Sequence, residues 1–235
     1  MKYPVLLNTP IKEIIFSISY DEIVDKDCFE KFINLEFIKN KFSEIKPSVT
    51  NQFEITNKGI NVSNDNSGFH LKNNNEVLQM RKGSLSYHYL HEYCSFDKIL
   101  NVLIKIWNIF DNVTKDNLTV NDISVRYINV LEVDSENPVS ELVQLYPKQS
   151  KNRSIVKFQN SVTFSYTNNP EYIINAVSTL PKENLVLLDI SVNKKNQKNK
   201  IDLVESFKPL REIKNRVFFD SITAKALLKY INQKN

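Results

Sequence analysis

The sequence predicts an α+β protein: a tandem pair of strand-helix-four-strand-helix units, with antiparallel sheets each packed by a long helix. Three observations predict it. Two stretches of the first half and a long one from near Ile201 in the second carry apolar residues at helical spacing. Short alternating segments split by Asn, Asp and Gly lie between them, the pattern of an antiparallel meander. The same order of elements then recurs in the second half, although the residues do not repeat. The first unit is expected over 1–116 and the second, with a long C-terminal helix, over 117–235. The polar stretch Thr114–Thr119 joins them. The alternative is one continuous domain with a single long sheet.

Glu13–Tyr20 is rich in β-branched and aromatic residues and reads as a strand. Asp27–Ile45 reads as one amphipathic helix. Phe29, Phe32, Ile33, Phe37, Ile38, Phe42 and Ile45 form its stripe, Asp27 is the candidate N-cap, and Pro47 lies just beyond. Strands follow at about Asn51–Ile55, Gly68–Leu71, Val77–Arg81 and Leu85–Leu90. Ser95 then caps an apolar helix through Phe110, with Phe96, Ile99, Leu100, Leu103 and Trp107 on one face. In the second half Leu118–Val133 reads as a strand and Pro138–Tyr146 as a short helix. Strands are expected over Arg153–Phe158, Ser161–Tyr166, Tyr172–Ser178 and Leu185–Val192. A long helix starts near Ile201 and buries Leu203, Val204, Phe207, Leu210 and Val217, with Pro209 near a kink or a start. Thr223–Ile231 reads as a shorter helix.

Composition excludes several chemistries. Only Gly59, Gly68 and Gly83 are glycines, and no phosphate-cradling G-x-x-x-x-G-K-[S/T] or G-x-G-x-x-G occurs. A nucleophile elbow is also missing. Cys28 and Cys94 are too isolated for a disulfide framework or a zinc site, so both read as reduced thiols. His88 and His91 are three apart, which in a strand sends them to opposite faces and argues against a metal. The carboxylates Asp21, Glu22, Asp25 and Asp27 suit a helix N-terminus without any catalytic role. No apolar run approaches a membrane span, and the N-terminus lacks a long apolar leader. The expectation is a cytoplasmic protein with no membrane contact, no cofactor and no metal. The net charge of +4 is mild for a dedicated nucleic-acid binder.

Two patches carry the candidate site. In Arg126-Tyr127-Ile128-Asn129 a strand would send Arg126 and Ile128 to one side, Tyr127 and Asn129 to the other. Arg126 needs a carboxylate, phosphate or carbonyl partner. It reads as a structural ion pair with Asp189, Glu132 or Asp134, or else as an anion or ligand site. In the second patch Arg211 and Lys214 share a helix face. With Asn215, Arg216, Phe219 and Lys225 they form a basic, aromatic-edged candidate interface, or a solvated basic edge. Phe218 and Phe219 read first as core.

The start Asn8, Pro10, Ile11, Glu13, the patch Arg126, Tyr127, Asn129, and the end from Leu210 through Ala226 together resemble a sporadically distributed bacterial family. That family has no assigned chemistry. The resemblance implies an accessory role in variable gene clusters, antiviral defence loci among them. The first functional expectation is a non-catalytic interaction or sensing module, which binds a protein segment or small ligand in the groove between sheet and long helix. The second is a nucleic-acid-associated protein that meets phosphates through Arg211, Lys214, Arg216 and the loop Lys194–Lys200. An enzyme of an unrecognised class is the third. A protein partner is expected before nucleic acid, and a homo-oligomer is compatible with both.

Overall fold

Ile14, Phe16, Ile18 and Tyr20 alternate with Ile15, Ser17 and Ser19, a period of two that fixes a strand with one apolar face. The same alternation over Val120–Glu132 and Leu185–Lys194 gives the centre of the sheet one apolar side and one polar side. The computed structural model describes residues 3–21, 24–56, 59–115, 118–132, 159–182, 185–195 and 202–231, with the side chains of 49–67 and 181–182 set aside. In chain order the elements are β1 (Ile11–Tyr20), α1 (Lys26–Ile33), α2 (Glu36–Lys41), β2 (Glu44–Thr56), β3 (Gly59–Lys72), β4 (Glu76–Arg81), β5 (Ser84–Tyr89), α3 (Phe96–Val113), β6 (Val120–Glu132), β7 (Gln159–Tyr166), β8 (Asn169–Lys182), β9 (Leu185–Lys194), α4 (Leu203–Ser221) and α5 (Ala224–Ile231). The expected helix Pro138–Tyr146 and strand Arg153–Phe158 lie outside the described residues.

The nine strands form one antiparallel sheet, in the order β2-β3-β4-β5-β1-β6-β9-β8-β7. The two expected sheets are therefore a single sheet. Its join is the long ladder between β1 and β6, where Phe16 faces Val125 and Ser17 faces Ser124. No helix among the described residues is long and apolar enough to cross a membrane.

The helices cover the apolar face. Ser95 caps α3 by accepting from the Lys98 amide, and Phe96, Ile99, Leu100, Leu103, Ile106, Trp107 and Phe110 of that helix are buried. Asp202 caps α4 in the same way through the Glu205 amide. Its buried side chains are Leu203, Phe207, Leu210, Lys214, Val217 and Phe218. Phe16 of β1 ties the helices together, with the ring of Phe96 at 5.5 Å and that of Phe207 at 5.3 Å. Such aromatic pairs add roughly 0.5–1.5 kcal/mol beyond their buried area. One apolar core thus runs across the join of the sheet. Pro209 lies inside α4 rather than at its start.

The expected helix over Asp27–Ile45 is two short helices and the start of a strand. Asp25, not Asp27, caps α1, by accepting from the Cys28 amide at 2.7 Å. The chain breaks at Asn34 and Leu35, where Leu35 turns to extended backbone. α2 ends because Asn73 donates to the Lys41 carbonyl at 2.9 Å and Phe42 is already extended. Ile45 and Pro47 then pair with Leu71 and Phe69 in the β2–β3 ladder. β2 is a terminal strand among the described residues, a place that tolerates proline. Tertiary pairing overrides a helical stripe whose apolar residues also suit a strand. Gly68 is required by close approach: a Cβ there would sit 1.8 Å from the Met80 carbonyl oxygen, at a φ of 151°.

Candidate functional site

β6 lies beside β1, the central strand of the sheet, and its alternation sorts the predicted residues. Tyr127 and Asn129 are buried on the helix side, whereas Arg126 looks out from the polar side. On that polar side, at the centre of the sheet, side chains of the described strands line a hollow of about 520 Å³.

Register builds the floor of this hollow from short polar groups. His70, Gln79, Ser86, Ser17, Ser124 and Asn193, from six neighbouring strands, align in one row. A second row runs His88, Ile15, Arg126, Ser191, Asn175 and Thr163. The side chains also bond along the rows. Ser17 Oγ lies 2.9 Å from Ser86 Oγ, and Thr163 Oγ1 donates to Asn175 Oδ1 at 2.7 Å. A smaller hollow of about 310 Å³ continues past Ser19 and Asp122 toward Lys195. Among the described residues no Phe, Tyr or Trp lines the larger hollow.

Two acid–base pairs lie on this side of the sheet. His88 Nδ1 lies 2.7 Å from Glu13 Oε1. Arg126 donates through Nε to Asp189 Oδ1 at 2.8 Å and through Nη2 to Oδ2 at 2.5 Å. Asp189 hydrogen bonds, and then the nearby charges of Asp189 and Glu13, hold the guanidinium ionised above its ordinary range. Asp189 was one of the three partners the sequence offered. The setting differs from the expected one, because the Arg126 side chain is 47% exposed rather than enclosed. His70, on the same side, is pushed down first by burial and then by His88.

The basic patch of α4 comes apart. Lys214 was expected on a solvated face or an interface and is instead buried, only 7% exposed. Its ammonium sits 3.7 Å from the centre of the Tyr127 ring, a cation–π contact that joins the two predicted patches. Burial, and then the charge of Arg211, push its pKa down to about 7. The Tyr127 hydroxyl is fully buried and finds no hydrogen-bond partner among the described residues. Burial also raises its pKa well above the ordinary phenol value. Asn129 donates to the Leu188 carbonyl at 3.0 Å and reads as a structural tie between β6 and β9.

The remaining predicted residues point elsewhere. Arg211 lies over the Phe96 ring at 5.0 Å, with Asp97 a loose 3.9 Å away. Arg216 lies over Tyr166 at 5.6 Å, and Phe219 stacks on Tyr3 at 4.6 Å. Asn215 is half-buried and Lys225 is exposed on α5. Arg216 and Phe219 thus meet at Tyr3, whereas Arg211 lies over Phe96. The groove expected between the sheet and α4 is filled by Phe207, Leu210 and Phe218. His91 is exposed beside Tyr89, away from His88. Cys28 and Cys94 are free thiols.

Sequence reasoning missed Ser17, Ser86, Ser124, Asn175, Ser191 and Asn193. The signal was present as alternation: Ser17 and Ser19 between Phe16, Ile18 and Tyr20, and Ser191 and Asn193 around Val192. An antiparallel sheet read that way has one wet face. No protein-family model and no curated protein matches the chain in sequence.

Proposed function

We propose that the protein is a non-catalytic binding or sensing module whose ligand lies on the open polar face of the sheet. The observation that carries this reading is the unbroken polar row from Gln79 to Asn193 beneath a hollow of about 520 Å³. That volume suits a small molecule. Ligand pockets usually present apolar walls with a few polar groups, whereas this floor offers hydroxyls, amides and the fixed Arg126–Asp189 fork. The matching ligand is small, polar and rich in donors and acceptors. Single-stranded nucleic acid fits less well, because the floor lacks aromatic platforms for bases and Lys214 is buried beneath α4.

The two halves read as tandem units, 1–116 and 117–235. Their ion pairs support it. Glu13 lies two residues before Ile15, the register partner of His88; Arg126 lies two residues before Ile128, the register partner of Asp189. Both pairs therefore occupy the same diagonal of the two ladders, with the acidic and basic partners exchanged. The resemblance to accessory proteins of bacterial defence clusters fits a module that senses a small molecule and passes the signal to a protein partner.

The test is titration calorimetry against a panel of nucleosides, amino acids and sugars. It uses the wild type and Ser17→Leu and Ser124→Leu, which fill the floor without touching the core. Binding should be lost in both variants while the melting temperature holds. A ligand that binds both variants unchanged places the site elsewhere.

A further inference from the structure

We propose that Lys214 is a carbamylation site, whose amine takes up carbon dioxide to form a carbamate held by Arg211 and the Tyr127 hydroxyl. This inference does not depend on the binding role of the open face, because Lys214 lies on the opposite side of the sheet.

The geometry supplies two unmet needs side by side. Lys214 is buried, and its nearest charged neighbour on α4 is another cation, Arg211. Burying a cation without an anion is costly. Beneath it, Tyr127 is 1% exposed and its hydroxyl has no partner among the described residues. An orphaned buried donor calls for an acceptor. A carbamate on Lys214 provides one, along with a negative charge for Arg211. Arg211 lies over the Phe96 ring, and the carboxylate of Asp97 stands a loose 3.9 Å from its Nη1.

At the amine itself lie the charge of Arg211 from α4 and the ring of Tyr127 from β6, and the groups that act on Tyr127 are Arg211, Tyr93 just before α3 and Asp97 in its first turn. Arg211 favours the carbamate. Tyr127 can donate to it, and only Asp97 opposes it by charge. Carbon dioxide is small and uncharged, which suits a site with so little exposure.

The step balances without any oxidant or reductant. The lone pair of Lys214 Nζ attacks the carbon of carbon dioxide and a C–N bond forms. One C–O π pair moves onto oxygen, and the nitrogen loses a proton to solvent. Only the neutral amine has that lone pair, and burial pushes the Lys214 pKa down to about 7, so the reactive form is abundant at neutral pH.

The experiment exposes the folded protein to isotopically labelled bicarbonate at about pH 8, where the amine is mainly neutral. A trialkyloxonium reagent then traps carbamates as esters, and peptide mass spectrometry maps them. The expected result is a labelled adduct on Lys214 many-fold above that on Lys208, an exposed lysine of the same helix. Tyr127→Phe, which keeps the ring under the amine, should lower the Lys214 adduct several-fold. Overturning results are an adduct at Lys214 no greater than at Lys208, or one unchanged by Tyr127→Phe.

Discussion

Arg126 and Lys214 are cations set against the same strand, β6, and the sheet between them gives them opposite surroundings. Arg126 is half exposed and has a two-pronged carboxylate partner in Asp189. Lys214 is buried and has an aromatic ring in place of a carboxylate. The exposed charge is the better paired. A structural role alone would put the carboxylate where water is scarce. The pairing of Arg126 therefore fixes a side chain at the floor of an open hollow. Lys214 tolerates burial because its charge is weakly held: burial, and then the charge of Arg211, push its pKa down to about 7.

The largest test concerns the two faces themselves. Phe16→Ala on the helix side removes the ring that joins Phe96 and Phe207, and should cost about 3–5 kcal/mol. Ser17→Ala, one residue along on the open side, should change stability by less than about 0.5 kcal/mol. Chemical denaturation of both variants checks the contrast. Comparable losses would mean that the open face is not open.

Lys214 gives the next effect. Its folded pKa of about 7 lies below the 10.5 of an ordinary lysine, so between those values the unfolded chain holds more protons than the folded one. Stability therefore rises with pH across that window, by at most about 1.4 kcal/mol per pH unit. The destabilising contribution is fully present below about pH 7 and absent above the unfolded value. Lys214→Met removes the buried charge and keeps the volume. It should stabilise the protein at pH 7 and flatten the rise between pH 7 and pH 10, as read from denaturant midpoints. A variant that is less stable than wild type at pH 7 would show that the cation is needed in place.

Arg126→Ala should cost less, about 1 kcal/mol or below, because exposed pairs are screened by water and salt. The loss should shrink at high salt, which urea titrations at two ionic strengths measure. A loss of several kcal/mol would return Arg126 to the enclosed structural role that the strand pattern suggested.

Much of this frame was legible in the sequence, and the exceptions have physical causes. Ser95 and the stripe from Phe96 to Trp107 marked α3 because cap and period agree. The alternation of β1, β6 and β9 was equally plain. Phe37 through Ile45 misled because its apolar spacing serves two short helices and a strand start alike, and only the pairing of Glu44 with Lys72 decides. The burial of Lys214 was hidden because a lysine on a helix flanked by Arg211 and Arg216 reads as solvated until the position of Tyr127 is known. The open hollow was hidden because it arises from cross-strand register, which local sequence does not encode.

The smallest effect is the most discriminating. Tyr127→Phe deletes one oxygen that has no hydrogen-bond partner among the described residues and keeps the ring beneath Lys214. Removing a paired buried hydroxyl ordinarily costs about 1 kcal/mol. Removing an orphaned one relieves a desolvation penalty, so in carbonate-free buffer the variant should be equal to wild type or more stable by up to about 1 kcal/mol. Added bicarbonate should reverse the order if the hydroxyl serves the carbamate, because only the wild type can then satisfy its donor. Paired melting curves with and without bicarbonate decide. An order that is the same in both buffers leaves Tyr127 as an aromatic seat for Lys214 alone. A large loss in carbonate-free buffer would reveal that the hydroxyl already has a partner in the folded protein.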